Sequence, residues 1–173
     1  MKRIVLTGSE STGKSTLAAE LADHFHAPLV PEFLRIYASG LETDLGPEDV
    51  DAIARGQIEL EDRIASASAG RNLLILDTDL LSAVVYNHHY YGDCPAWIEE
   101  ESRRRAGDLY LLTDLDAPWI PDRLRDRGER REEMHALFRS ALSRRAVNWV
   151  PISGSWEVRR KRAVEAVERQ LEP

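Results

Sequence analysis

Gly8-Ser9-Glu10-Ser11-Thr12-Gly13-Lys14-Ser15-Thr16 follows the β-branched, apolar run Arg3-Ile4-Val5-Leu6-Thr7, which reads as a buried parallel strand. It leads into Leu17-Ala18-Ala19-Glu20-Leu21-Ala22-Asp23-His24-Phe25, whose apolar spacing is helical. The pattern G-x-x-x-x-G-K-[ST] between a strand and a helix describes a phosphate-binding loop. In such a loop Gly8 and Gly13 let the backbone fold into a nest, and Ser11, Thr12, Ser15 and Thr16 offer N–H groups at a helix N-terminus. Lys14 is expected to reach the β- and γ-phosphates of a nucleoside triphosphate, and the Ser15 hydroxyl to ligate Mg²⁺.

The rest of the chain is bounded by its composition. The 173 residues are expected to form one domain, 1–173, long enough for a sizeable core. With 43% apolar and 31% charged residues, the composition is globular and argues against disorder. No apolar run approaches the ~20 residues of a membrane span. A strand beginning at residue 3 leaves no room for a leader, and the lone Cys94 excludes an internal disulfide, so a cytoplasmic setting is expected. A net charge of −7 speaks against a broad nucleic-acid surface.

Downstream, Leu29-Val30 reads as a second strand between Pro28 and Pro31, followed by Glu32-Phe33-Leu34-Arg35-Ile36-Tyr37. In open α/β sheets the ligand crevice lies outside the C-terminal ends of strands. Glu32 is thereby a candidate base and Arg35 a candidate substrate contact, and an exposed Glu32–Arg35 ion pair is the plainer reading. Pro47, Glu48 and Asp49 start a helix expected to run to about Ala69, with Gly70 as its C-terminal cap. The apolar positions of that helix trace one face only roughly, and Gly56 in its middle marks either a close approach or nothing.

Leu73-Leu74-Ile75-Leu76 is the most continuous apolar run, a central strand ending in Asp77-Thr78-Asp79. A carboxylate at that tip, beside the phosphate loop, is where such folds hold the Mg²⁺ water shell, which selects Asp77. Asp79 reads either as a second site carboxylate or as ordinary dipole complementarity at the start of the next helix. Leu109–Leu112 and Val147–Val150 supply a fourth and a fifth strand, and Arg103-Arg104-Arg105 reads as a solvated face. Between these two strands lies an Arg-dense connection, about 116–131. Arg123, Arg125 and Arg127 suit a lid that meets transferring phosphoryl charge, and Arg130 and Arg131 suit a solvated helix. The expected fold is therefore α/β: a three-layer P-loop NTPase fold with a five-stranded parallel sheet and an Arg-rich lid.

Four spaced motifs carry a resemblance across nearly the whole chain: Gly8-x-Glu10-Ser11-x-Gly13-Lys14-Ser15-Thr16, Glu32-x-x-Arg35-x-Tyr37, Asp77-Thr78-Asp79 and Pro118-Trp119-x-x-Asp122-x-x-Arg125. Together they resemble the ribosylnicotinamide (nicotinamide riboside) kinase domain of the NadR-type family, a P-loop kinase-like AAA ATPase. The resemblance implies transfer of phosphate from ATP, with Mg²⁺, to the 5′-hydroxyl of nicotinamide riboside. It implies Lys14, Glu32, Asp77 and Arg125 as catalytic groups, Arg123 and Arg127 on the nucleotide, and Glu32, Arg35, Tyr37 and Asp79 on the riboside. The lid departs from the family's Asp-Gly-x-Arg, reading Asp122-Arg123-Leu124-Arg125. Kinases for other nucleosides or nucleotides, and a nucleotide-gated regulatory module, fit the residues as alternatives.

Overall fold

The computed structural model describes residues 1–40, 45–116 and 130–172. Five strands, β1 (Lys2–Thr7), β2 (Leu29–Val30), β3 (Leu73–Asp77), β4 (Leu109–Thr113) and β5 (Trp149–Ile152), form one sheet in the order β2-β3-β1-β4-β5. All neighbouring pairs are parallel. The helices are α1 (Lys14–Phe25), α2 (Phe33–Ala38), α3 (Val50–Ala67, entered through a 3₁₀ turn at Pro47–Asp49), α4 (Leu80–Tyr91), α5 (Ala96–Arg104), α6 (Arg131–Arg144) and α7 (Trp156–Leu171).

Strand alternation divides the core into two layers. Ile4, Leu6, Ile75, Leu109 and Leu111 pack with Leu17, Leu21, Ala163 and Val167 of α1 and α7. Val5, Leu74, Leu76, Tyr110 and Leu112 pack on the other face with Leu60, Leu81, Val85 and Phe138 of α3, α4 and α6. Central strands buried on both faces explain the continuous apolar runs that mark β1, β3 and β4 in the sequence. Among the described residues no helix is long and apolar enough to cross a membrane.

Three expectations are corrected. The long helix ends at Ala67 with Ser68 as its cap, and Gly70 lies beyond it in the turn to β3, at φ +91°. β5 is shifted two residues later than the apolar pattern suggests and includes Pro151. As an edge strand it pairs only with β4, so the missing Pro151 N–H costs no ladder bond. Arg105 is not part of a solvated face: its side chain is 14% exposed and bridges Glu61, Asp62 and Glu101.

Candidate active site

β1 delivers the phosphate-binding loop to the C-terminal edge of the sheet. Gly8 leaves the strand at φ +130°. A Cβ there would stand 2.9 Å from the Thr113 carbonyl oxygen, so conformation and space both require glycine. Ser11 (φ 51°) and Gly13 (φ 84°) carry the left-handed turn onward, the backbone alternation that forms an anion nest. Among the described residues no side-chain cap is seen at Gly13, the N-cap of α1, which leaves the helix's positive end directed at the loop. The Lys14 ammonium, 9% exposed, arches back to donate to the Ser9 carbonyl at 2.7 Å. Thr12 Oγ1 lies 2.9 Å from Ser9 O and 2.6 Å from Thr113 Oγ1, which locks the loop to the end of β4.

A second anchor comes from far along the chain. Arg159 on α7 is 2% exposed and donates to the carbonyls of Gly154, Thr12 (2.8 Å) and Asp114 (2.9 Å), while pairing with the Asp116 carboxylate. One planar guanidinium thus ties the phosphate loop to the ends of β4 and β5. Trp156, at the start of α7, lays its ring edge against Gly13 and donates to Glu20 at 3.0 Å. In the sequence Arg159 is hidden at the head of the basic run Arg159-Arg160-Lys161-Arg162. The available signal was its phase: Arg159, Ala163, Ala166 and Val167 share the buried stripe of α7.

Across from the loop, the tips of the adjacent strands β2 and β3 bring two carboxylates together. Glu32 is 5% exposed and Asp77 is 6% exposed. Burial raises the Asp77 carboxyl above its ordinary value. The Ser15 hydroxyl bonded to it, together with Lys14 and Arg35, pulls the other way, while the Glu32 charge adds to the rise. Lys14, Ser15, Glu32, Arg35 and Asp77 therefore share one crevice. Glu32 also pairs with Arg35 Nε at 2.9 Å, so the ion pair exists, but with its acid buried and its base 46% exposed. A hydroxyl and a carboxylate side by side are the hard oxygen donors that Mg²⁺ takes, with phosphate oxygens and water filling its remaining positions.

Other sequence-selected residues fall elsewhere. Asp79 is 5% exposed and caps α4, its Oδ1 accepting the Leu81 N–H at 3.0 Å and its Oδ2 the Tyr110 hydroxyl at 2.6 Å. Both oxygens are engaged within the protein, which favours its reading as a residue of the helix start over that of a site carboxylate, although it stands at the N-cap and not in the first turn of α4. Tyr37 lies in α2 with its hydroxyl donating to Asp49 Oδ1 at 2.8 Å. Arg131 is not simply a solvated helix residue, because its Nη2 lies 3.4 Å from the Ser11 carbonyl of the loop. Glu10, to which the sequence reading gave no role, is 4% exposed within the loop, and the Tyr90 hydroxyl approaches its Oε1 at 3.4 Å. Arg123, Arg125 and Arg127 lie outside the described residues.

With this geometry in hand, comparison with known proteins is specific. Two curated relatives, each a "Trifunctional NAD biosynthesis/regulator protein NadR", from Escherichia coli and from Salmonella typhimurium, are 26% identical over 99% of this chain and 43% of their own length. The chain thus spans less than half of the relatives it matches. A solved NadR structure "in complex with NR" superposes with a TM-score of 0.79 at 26% identity, over 98% of this chain and 49% of that one. A thymidylate kinase from Ehrlichia chaffeensis, 13% identical, shares the fold at a TM-score of 0.74 over 96% of this chain and 98% of that one. Residues 3–159, from the first strand through the Arg159 clamp, match the AAA domain family, and with its phosphate loop, parallel sheet and crevice carboxylates the chain belongs to that family.

Proposed function

We propose that this chain is an ATP-dependent small-molecule kinase that phosphorylates the 5′-hydroxyl of nicotinamide riboside, giving nicotinamide mononucleotide. The observation that carries the reading is the buried Glu32 carboxylate, beside Asp77 and across from Lys14, at the crevice end of neighbouring strands. A pure nucleotide switch has no need of a second buried carboxylate facing its phosphate loop. The choice of acceptor rests on the likeness to NadR solved with NR, and with NAD and AMP-PNP, over 98% of this chain.

In the reaction the acceptor oxygen forms a bond to the γ-phosphorus of ATP as the bond to the bridging oxygen breaks, the electron pair leaving with ADP. The acceptor's proton passes to Glu32. Lys14 releases the Ser9 carbonyl to meet phosphate oxygens, and the loop N–H groups hold the rest of the triphosphate. Ser15 and Asp77 would hold Mg²⁺, which supplies charge neutralisation at the phosphates when bound. Arg123, Arg125 and Arg127 are assigned to phosphoryl oxygens on sequence alone. Asp79 is left out of the riboside contacts.

The test is product identity. Purified protein with Mg²⁺-ATP is offered nicotinamide riboside, uridine, adenosine, cytidine or thymidine in parallel, with Lys14→Ala as the control that should lose turnover. Nicotinamide mononucleotide is expected to form fastest. Phosphorylation of a different nucleoside alone would overturn the acceptor, and ATP hydrolysis with no phosphorylated acceptor would overturn the kinase.

A further inference from the structure

Glu32 stands at the N-cap position of α2, with φ −66° and ψ 113°, and its own side chain makes no capping hydrogen bond there. A six-residue helix cannot hold its own orientation, because so short a segment is unstable without outside contacts. Its direction, and with it the aim of Glu32, must come from other elements. The contact next to Glu32 is made by α3: Gln57 Oε1 accepts the Phe33 N–H at 2.8 Å, satisfying a donor that the start of α2 leaves without an intrahelical partner. Gln57 is 5% exposed, and Phe33 packs so closely on Gly56 that a Cβ there would sit 2.0 Å from the ring.

An amide can present either end, and here both neighbours agree on the choice. The Phe33 N–H can only donate, so the carbonyl end faces it, and Gln57 Nε2 is left to donate to Glu61 Oε1 at 3.3 Å. Glu61, 1% exposed, is held in turn by Arg3 at 2.7 Å and Arg105 at 3.5 Å. Arg3 sits near the N-terminal end of β1, the opposite end of the sheet from the crevice. The kinase reading of Glu32 uses none of these four groups.

We infer that Gln57 is a positioning residue for Glu32: its carbonyl, oriented with the help of buried Glu61 and its partners Arg3 and Arg105, pins the Phe33 N–H and so aims the crevice carboxylate at the acceptor. The inference rests on the proposed role of Glu32 and deepens it. Gln57→Met keeps length and apolar volume but removes the acceptor. It should lower kcat roughly tenfold, the scale of a small misplacement of a reacting group, with the KM for ATP unchanged within about twofold. In a Glu32→Gln background the same substitution should cost nothing further in kcat, which a merely structural role would not produce. Gln57→Leu, which likewise removes the acceptor, should give the same pattern and serves if Gln57→Met does not fold.

One readout stands apart from catalysis. The Phe33 amide of the unliganded wild-type chain should exchange hydrogen more slowly than the Leu34 amide, and Gln57→Met should abolish that difference while leaving Ile4 and Ile75 protected. Equal exchange at Phe33 and Leu34 in wild type would overturn the pin. A kcat loss of the same size with and without Glu32 would overturn the positioning. If wild type phosphorylates no acceptor, the kinase reading fails in the acceptor screen, and the Phe33 amide still decides whether Gln57 holds α2.

Discussion

Asp79 shows what burial does to a single carboxylate. Removal from water raises its pKa from 3.8 to about 6, although the Tyr110 hydroxyl, the Leu81 N–H and Arg3 favour the ion. In the unfolded chain the group ionises near 3.8, so below that pH it imposes no penalty on the fold. As pH rises through about 6 the folded protein must hold a buried anion, and stability is lost. A shift of this size corresponds to about 3 kcal/mol at neutral pH. Asp79→Asn, which can keep the cap but cannot ionise, should gain relative to wild type by up to about that amount between pH 3.5 and pH 7, measured by urea unfolding at each pH. A difference between the two proteins that does not change with pH would show that burial does not shift the Asp79 carboxyl from its unfolded value. That this residue sits at a helix start was legible in the sequence, because an acid beside the first turn complements the helix dipole; that it caps the helix as well emerges only in the structure. The Tyr110 bond was not, because nothing local to either residue pairs them.

Elements show the same division. The helical stretch after Pro47 is evident from its start and its apolar spacing, yet its buried face traces only roughly because Gln57 and Glu61 lie on it among Ala54 and Leu60. Those two polar positions blur the pattern, and they are the ones that hold α2. Gly56 resolves likewise: its lack of a Cβ admits the Phe33 ring. Gly56→Ala gains about 1 kcal/mol of helix propensity but overpacks the α2–α3 contact, a cost of about 1–3 kcal/mol. The expected outcome is a slightly less stable protein whose acceptor turnover falls while its Mg²⁺-ATP binding is unchanged, read by thermal unfolding, steady-state kinetics and nucleotide titration. A more stable variant with full turnover would mean that the ring shifts at no cost and that the close approach has no bearing on Glu32.

For the molecule as a whole, the phosphate loop is held from two sides, by the Thr12–Thr113 hydroxyl contact and by Arg159. Arg159 is 2% exposed and burial lowers its pKa, and its charge is tolerated through the carbonyls and the Asp116 carboxylate around it. Arg159→Met strands those acceptors and should cost roughly 3 kcal/mol, seen as a lower urea midpoint at unchanged slope. Because one of its partners is the Thr12 carbonyl, the stabilisation given by added Mg²⁺-ATP should shrink as well. If it does not, the clamp supports α7 and not the loop.

Local chemistry in the sequence determined the first four strands, the phosphate loop and the strand-tip position of Asp77, while the bounds of the fifth strand and the strand order came from the fold. Strand and helix periods, the positive-φ glycines of the loop and the apolar central strands are all written within a few neighbouring residues. The packing of Glu32 beside Asp77 follows from β2 lying next to β3, which the sequence implied only through the general placement of ligands at strand ends. Tertiary structure alone decided the second layer of the site: Gln57 on the Phe33 N–H across 24 positions, Arg159 on Thr12 across 147, and Tyr110 on Asp79 across 31. Buried polar groups must find partners wherever the fold brings them, and hydrogen-bond geometry between distant segments leaves no periodic trace in either one.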